Sequence, residues 1–196
     1  MSTTVNALLR SSLAGLRLLV VLTLLLGLAY PLLVLGVGRL LAPERAVGSL
    51  VEVDGRVVGS ELLGQPFDGP GWFWGRPSAA GDGYDGLASS GSNAGPNDAD
   101  LVADIAGRQA TLAGASGVSP ADVPADAVTA SASGLDPDVS PEWAELQVPR
   151  VAAERGLGEA QVRAVVADAT RGRPLGVLGE PRVNVLLANA GLERLG

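Results

Sequence analysis

Three loop-like segments rich in glycine and serine contain the residues of this chain best suited to binding chemistry. They span residues 75–78, 89–96 and 130–137. Successive backbone N–H groups in such turns can form a concave nest that binds an anion. The guanidinium of Arg76, in the first segment, could add a two-pronged contact to a phosphate or carboxylate. Because the same composition is typical of plain turns, the residues leave both an anion site and a purely structural role open.

The residue types needed by most catalytic and metal sites are missing. The chain has no His, no Cys and no Lys, which excludes Ser-His-Asp and Cys-His nucleophiles, zinc sites built from His and Cys, and the lysine of a phosphate-binding P-loop. Acids are plentiful, so a paired-carboxylate hydrolase stays open, although no spacing singles out a pair. We therefore predict no catalytic residues, no metal site and no tightly bound cofactor.

A cluster of aromatic residues stands inside the Gly-rich stretch 69–98. Trp72, Phe73 and Trp74 are consecutive there. A disordered linker would be poor in aromatic residues, so the stretch is expected to be ordered. The rings either fasten the loop to the core or contact a partner protein, and we take all three as candidates for partner contact.

The stretch 18–38 is an uncharged run of 21 residues, with ten Leu and four Val. As a helix it would be about 32 Å long, which matches a bilayer core of about 30 Å. Arg39 follows the run instead of a small-residue cleavage site, which favours a membrane anchor over a signal peptide. We predict a transmembrane helix over residues 18–41. Pro31 should distort it, either as a tolerated kink or as part of a face that packs on neighbouring helices.

The anchor divides the chain into a basic N-terminal arm, residues 1–17, and a soluble domain, residues 42–196. All 21 acids and 11 of the 14 arginines lie beyond residue 41. An acidic domain repels phosphate backbones, so nucleic acid is not an expected partner. Arginines near the two ends of the span are almost balanced in number, and the positive-inside rule therefore leaves the orientation open.

The soluble domain is predicted to be α+β. Asp54-Gly55, between two β-like runs at 50–53 and 56–58, indicates an early β-hairpin with a type I′ turn. Several helices should follow, together with a small sheet. Asn97 is the expected N-cap of the first of them.

Three more helices are expected after it. The second begins at Ser140-Pro141, with Ser140 as N-cap and Pro141 as the first helical residue, and Pro149 should bend or end it near residue 148. Helical spacing marks the others at 159–170 and 183–195.

Six segments in serial order give the chain a strong resemblance to one family. They are GSELLGQPF, FWGRPSA, YDGLASSGSNAGPND, VTASASGLDPDVSP, QVPRVAAERGL and VNVLLAN, which begin at residues 59, 73, 84, 128, 147 and 183. With one N-terminal span, the chain resembles the C subunit of the bacterial Kdp-type potassium-transporting ATPase. It departs from the family pattern at a few positions, including Asp138, where the family has His.

The resemblance implies a non-catalytic accessory subunit of an ATP-driven potassium uptake complex. Its partners would be a potassium-translocating subunit and an ATP-hydrolysing P-type subunit. The N-terminus would be cytoplasmic and the domain extracytoplasmic, in the inner or plasma membrane. The family is described as needed for assembly and as a catalytic chaperone that raises the ATP affinity of the ATPase subunit. A membrane-anchored extracytoplasmic binding module is the alternative.

Nucleotide binding is also attributed to this family. If this chain binds a nucleotide, the expected residues are Gly91, Ser92 and Asn93, backed by Arg76. The same three residues could instead form a tight turn before the next helix. An extracytoplasmic domain would not meet cytoplasmic ATP, so ATP is expected to act through the complex.

Overall fold

The computed structural model describes residues 2–195 and separates them into two compact units, one ending at Ser49 and the other beginning at Leu50. The first unit is almost entirely helical. It comprises α1 (Ser2–Leu24), a π-helical turn (Leu25–Ala29), α2 (Tyr30–Leu41) and the short α3 (Pro43–Ala46). Between Thr4 and Leu41 the helix is long and apolar enough to cross a membrane; an 18-residue stretch within it has a mean hydropathy of 2.7, and none of that stretch is buried in the protein.

The π-helical turn lies immediately before Pro31. Proline has no N–H to donate, and its ring crowds the carbonyl one turn earlier. A turn with wider spacing relieves this crowding without ending the helix. The expected distortion is thus a local widening at Leu25–Ala29, after which α2 continues to Leu41.

The second unit begins with the predicted hairpin. Strands β1 (Leu50–Val53) and β2 (Arg56–Ser60) are antiparallel, with Val53 opposite Arg56. Asp54 and Gly55 have φ of 50° and 75°, the pair of positive values that a type I′ turn requires. A β-bulge between Val51 and Glu52 shifts the register along the hairpin.

Helices and a second small sheet complete this unit, and the predicted mixture of helix and sheet with an early hairpin is confirmed. The helices are α4 (Ala99–Ser116), the single turn α5 (Ala125–Val128), α6 (Pro141–Arg155), α7 (Glu159–Ala169) and α8 (Val185–Glu193). The strands β3 (Asp138–Val139), β4 (Thr170–Arg171) and β5 (Arg182–Asn184) form an antiparallel sheet in the order β3-β5-β4. The core of the second unit is mainly aliphatic and surrounds the fully buried Trp143.

Three expected helix boundaries are wrong. The last helix begins at Val185 and not at residue 183, because Arg182–Asn184 form β5. The N-cap of α4 is Asp98 and not Asn97: its Oδ1 accepts the N–H groups of Asp100 at 2.9 Å and Leu101 at 3.3 Å. A carboxylate at this position also favours the positive end of the helix dipole. Helix α6 does not end before Pro149 but continues to Arg155. Pro149 faces solvent, while buried residues on both sides of it, Val148 and Val151, fix the helix to the core.

Residues 61–98 contain no regular helix or strand, and two buried amide side chains hold the middle of this segment. The carboxamide of Asn189, on α8, accepts the N–H of Phe73 at 2.9 Å and donates to its carbonyl at 3.0 Å. Gln147, on α6, does the same for Trp74, at 2.7 Å and 3.2 Å. Each amide therefore satisfies both backbone groups of one residue, as a neighbouring β-strand would.

Two arginines extend this arrangement towards the N-terminus of the segment. Arg150 donates through Nη1 to the carbonyls of Pro70 and of Trp72, the latter at 3.0 Å. Arg155 donates through Nε to the carbonyl of Gly71 at 2.6 Å. We call Gln147, Arg150, Arg155 and Asn189 the loop clamp.

Replacing Asn189 by Leu should destabilise the domain strongly. The side chain is 1% exposed, so the N–H and carbonyl of Phe73 would lose their partners without gaining water. We expect a loss of about 2–5 kcal/mol in the free energy of unfolding. Urea unfolding of the full chain in detergent, followed by tryptophan fluorescence, measures it, because all three tryptophans lie in the soluble domain. The exposed Asn97→Leu is the matched control and should change stability by less than about 0.5 kcal/mol. A loss of that small size for Asn189→Leu would contradict the role of the clamp.

Candidate functional site

Arg76 is the charged residue expected at an anion site, and the structure gives its guanidinium internal partners. Nη1 forms an ion pair with Asp136 Oδ2 at 2.9 Å, and Nη2 donates to the carbonyl of Thr129 at 3.3 Å. Both charged side chains are at most one-third exposed. An anion that approached Arg76 would therefore compete with a carboxylate already in place.

Gly91, Ser92 and Asn93 lie in an irregular segment to which neither a turn nor regular secondary structure is assigned. Gly91 lies against Ala132: a Cβ at this position would be 3.1 Å from the Ala132 carbonyl oxygen. Ser92 and Asn93 are exposed, and Asn93 adopts a left-handed conformation with φ of 54°. The tight turn expected as the alternative at these three residues is therefore wrong.

The structure does not bring residues 91–93 and Arg76 into one cavity. Arg76 lines two cavities, of about 510 Å³ and about 460 Å³, and neither includes residues 91–93. The nucleotide assignment of these four residues remains a prediction.

The loops that carry Arg76 and Gly91 are joined to the loop 129–137 by short polar contacts. Ser78 Oγ donates to the carbonyl of Gly134 at 2.7 Å, and the N–H of Ser90 donates to the carbonyl of Ser133 at 3.0 Å. Gly134 has φ of 66°, and a Cβ there would lie 2.6 Å from both Ala80 N and Ser90 O. The three Gly- and Ser-rich segments thus pack on one another, with glycine where their backbones approach most closely.

Tyr84 also contacts the loop that carries Arg76. Its hydroxyl donates to the carbonyl of Arg76 at 2.5 Å. Burial, with a smaller effect from the charge of Asp136, raises the pKa of Tyr84 above its usual range, while Arg76 opposes this shift. The phenol is therefore neutral at physiological pH and acts as a hydrogen-bond donor.

The three aromatic candidates for partner contact have different environments. Phe73 is 2% exposed and belongs to the core, so its ring has almost no free surface in the folded domain. Trp72 and Trp74 are half-buried, and each is covered by an arginine of the loop clamp. The Cζ of Arg155 lies 4.2 Å from the ring centroid of Trp72, and that of Arg150 lies 3.6 Å from that of Trp74.

These contacts combine cation–π attraction with hydrogen bonding. Burial lowers the pKa of Arg150 to about 10, so it still carries a positive charge at neutral pH. The arginines therefore fix Trp72 and Trp74 to the domain, and part of each residue remains exposed. Pro31, the fourth candidate for partner contact, lies fully exposed on the apolar helix of the first unit.

The larger of the two Arg76 cavities is lined by aromatic and charged side chains. Trp74, Tyr84, Asp104 and Arg108 are among the residues around its 510 Å³. Arg108 donates to the carbonyl of Val128 at 3.1 Å and pairs with Asp104 at 3.3 Å. The size is that of a small-molecule pocket, but both arginines are already neutralised by acids.

The side chain of Asp138, on β3, contacts two residues of the neighbouring strand β5. Its carboxylate accepts from Asn184 Nδ2 at 3.2 Å and forms an ion pair with Arg182 at 2.7 Å. Burial raises the pKa of Asp138, and the Asn184 hydrogen bond and the Arg182 charge oppose the shift.

Among the described residues, no group of His, Cys, Asp and Glu side chains is arranged to hold a metal ion. The functional groups that sequence reasoning overlooked are the amides of Gln147 and Asn189. Each is a lone polar residue on the apolar face of a helix, and this is the signal that could have revealed them.

Comparison with known proteins places these features in a family. The family described as "KdpC: K+-transporting ATPase, c chain" matches residues 12–194. Among similar proteins are three described as "Potassium-transporting ATPase KdpC subunit". One, from Kineococcus radiotolerans, is 58% identical over 98% of this chain and 98% of its own length. One from Sorangium cellulosum is 56% identical over 91% of this chain and 95% of its own length. One from Methylococcus capsulatus is 52% identical over 92% of this chain and 96% of its own length.

These matches cover the apolar helix as well as the soluble domain, and they include all six segments on which the resemblance depends. An identity above 50% over nine-tenths of the chain leaves no room for a different fold or an added domain in the matched region. The chain belongs to the KdpC family, the c chain of potassium-transporting ATPases.

Proposed function

We propose that this chain is the accessory, non-catalytic subunit of an ATP-driven potassium uptake complex. The observation that carries the proposal is the family match over residues 12–194, with three relatives named as KdpC subunits of a potassium-transporting ATPase. The partners would be a potassium-translocating subunit and a P-type subunit that hydrolyses ATP.

The side-chain chemistry of the described residues fits a role without catalysis. Several carboxylates and guanidiniums of the domain form internal pairs, such as Arg76–Asp136, Arg182–Asp138 and Arg155–Glu193. A subunit of this kind acts through the surfaces that it presents and the geometry that it holds. The proposed contribution to the complex is therefore assembly and stability, and ATP would be bound by the ATPase subunit.

A pull-down tests this proposal directly. A tagged chain is purified in mild detergent from membranes of potassium-starved host cells, and the proteins that accompany it are identified by mass spectrometry. We expect a P-type ATPase and a multi-span potassium subunit in fixed ratio. Recovery of the chain alone, from membranes shown to contain both subunits, would contradict the proposal and favour a membrane-anchored binding module.

We also propose that the N-terminus is cytoplasmic and the domain extracytoplasmic. The family resemblance supports this orientation. The acidity of the domain agrees with it, because an acidic surface is repelled by the anionic lipids of the cytoplasmic leaflet.

The absence of cysteine from the sequence makes the orientation easy to measure. Single-cysteine variants Ala121→Cys, in an exposed turn of the domain, and Asn6→Cys, near the N-terminus, are treated with a membrane-impermeant maleimide in intact spheroplasts. We expect residue 121 to react at once and residue 6 only after lysis. The reverse pattern would contradict the proposed orientation, and lysed cells provide the control for intrinsic reactivity.

The role of Arg76 can be separated from nucleotide binding by mutation. Because Arg76 is paired with Asp136 and Thr129, Arg76→Ala should lower the free energy of unfolding by about 1–3 kcal/mol. It should leave the ATP dependence of the assembled ATPase unchanged. Arg108→Ala, which removes the second arginine of the same cavity, is the matched control. A selective loss of apparent ATP affinity in Arg76→Ala, at unchanged stability, would instead assign Arg76 to a nucleotide site.

A further inference from the structure

Two buried N–H donors of the soluble domain lack a hydrogen-bond acceptor, and both belong to residues that line the same cavity. Within residues 2–195, Trp143 Nε1 and Arg76 Nε are shielded from water and have no partner. Both residues line the cavity of about 510 Å³. Buried donors without an acceptor are costly and rare in native proteins. Two of them at one cavity point to a ligand that supplies the acceptor.

Neither donor has another obvious means of being satisfied. Trp143 is 0% exposed, so its indole N–H is closed off from bulk water. The remaining nitrogens of Arg76 already bind Asp136 and the carbonyl of Thr129. Of the two cavities that Arg76 lines, only the larger is also lined by Trp143. An acceptor that serves both donors would therefore occupy the larger cavity.

The other aromatic residues of this cavity offer ring surface, because their polar groups are already used. Trp74 Nε1 donates to the carbonyl of Gly69 at 2.9 Å, and the hydroxyl of Tyr84 donates to the carbonyl of Arg76 at 2.5 Å. Phe67 adds a third ring to the lining. Apolar walls with a few polar groups are typical of small-molecule sites, and walls rich in aromatic rings suit an aromatic ligand.

The charges around the cavity favour a neutral ligand over an anion. Its lining contains two arginines and two aspartates, whose formal charges cancel: Asp68, Arg76, Asp104 and Arg108. Arg76 is also paired with Asp136, and Arg108 with Asp104. A carboxylate or phosphate would have to compete with these aspartates. A carbonyl oxygen has two lone pairs and can accept two N–H groups without adding charge.

We propose that this cavity binds a small, uncharged aromatic carboxamide. The carbonyl oxygen of the ligand accepts hydrogen bonds from Trp143 Nε1 and Arg76 Nε, and its ring packs among the three other aromatic side chains. The exposed Asp68 is an acceptor for the amide N–H groups. This site is separate from residues 91–93 and requires no partner subunit.

Nuclear magnetic resonance of the full chain in detergent tests the site with benzamide as the probe. The chain has three tryptophans, so replacing each in turn by phenylalanine assigns the three indole N–H resonances. We expect benzamide to move the Trp143 resonance downfield and saturably, with a Kd of about 1 mM for so small a molecule. Aniline, which lacks the carbonyl, and benzoate, which is charged, are the matched probes and should not move it.

Gly107 and Gly114 give a matched pair of variants on α4. An added Cβ at either position would meet nothing within 4 Å beyond its own helix backbone, and Gly107 lines the cavity whereas Gly114 does not. Gly107→Leu should fill part of the cavity and weaken benzamide binding about tenfold or more. Gly114→Leu should leave binding unchanged. Neither variant should lower the unfolding midpoint, because leucine favours helix over glycine.

Four results would overturn the inference. The absence of a saturable response at Trp143 would show that benzamide does not bind there. An equal response to aniline or benzoate would contradict the choice of a neutral carbonyl. Unchanged binding in Gly107→Leu would locate the probe outside this cavity. Magnetisation exchange between the Trp143 N–H and water, without a response to benzamide, would assign the acceptor to a bound water molecule.

Discussion

The fold of the soluble domain depends on how 38 consecutive residues without helix or strand satisfy their backbone hydrogen-bonding groups. A buried N–H or carbonyl without a partner is costly, and regular secondary structure normally prevents this. Here Asn189 and Gln147 each pair with both polar groups of one backbone residue, Phe73 and Trp74. Two side chains thus do the work of a neighbouring strand, and they allow Phe73 to enter the core.

The same constraint joins motifs that lie far apart in sequence. The N–H of Gly64, in the first motif, donates to the carbonyl of Leu135 in the fourth. The second contacts the fifth through Gln147 and the sixth through Asn189. A change in any one motif would leave partners in another unsatisfied. Gly- and Ser-rich composition, which at first indicates an anion-binding loop, is explained instead by close packing of backbone on backbone.

Local signals in the sequence predicted local structure well. Asp54-Gly55 is sufficient for the hairpin because both residues tolerate positive φ, and Ser140-Pro141 is sufficient for the start of α6. Where two local signals competed, the sequence could not decide between them: Asn97 and Asp98 are both good N-caps. Pro149 was misjudged because its effect depends on tertiary packing on either side, which overrides the local preference.

The site was harder to predict than the fold for the same reason. Nothing near Arg76 in sequence reveals that Asp136, sixty residues later, neutralises it, and nothing near Trp74 reveals Gln147. Charged residues that look available in the sequence are paired in the structure, whereas Leu175 and Val177, which look like core residues, are exposed. In this domain polar side chains such as Arg76, Gln147 and Asn189 contact other parts of the fold, whereas several large apolar side chains are exposed. Several of its arginines and carboxylates, such as Arg76 and Asp136, are engaged in holding its own loops.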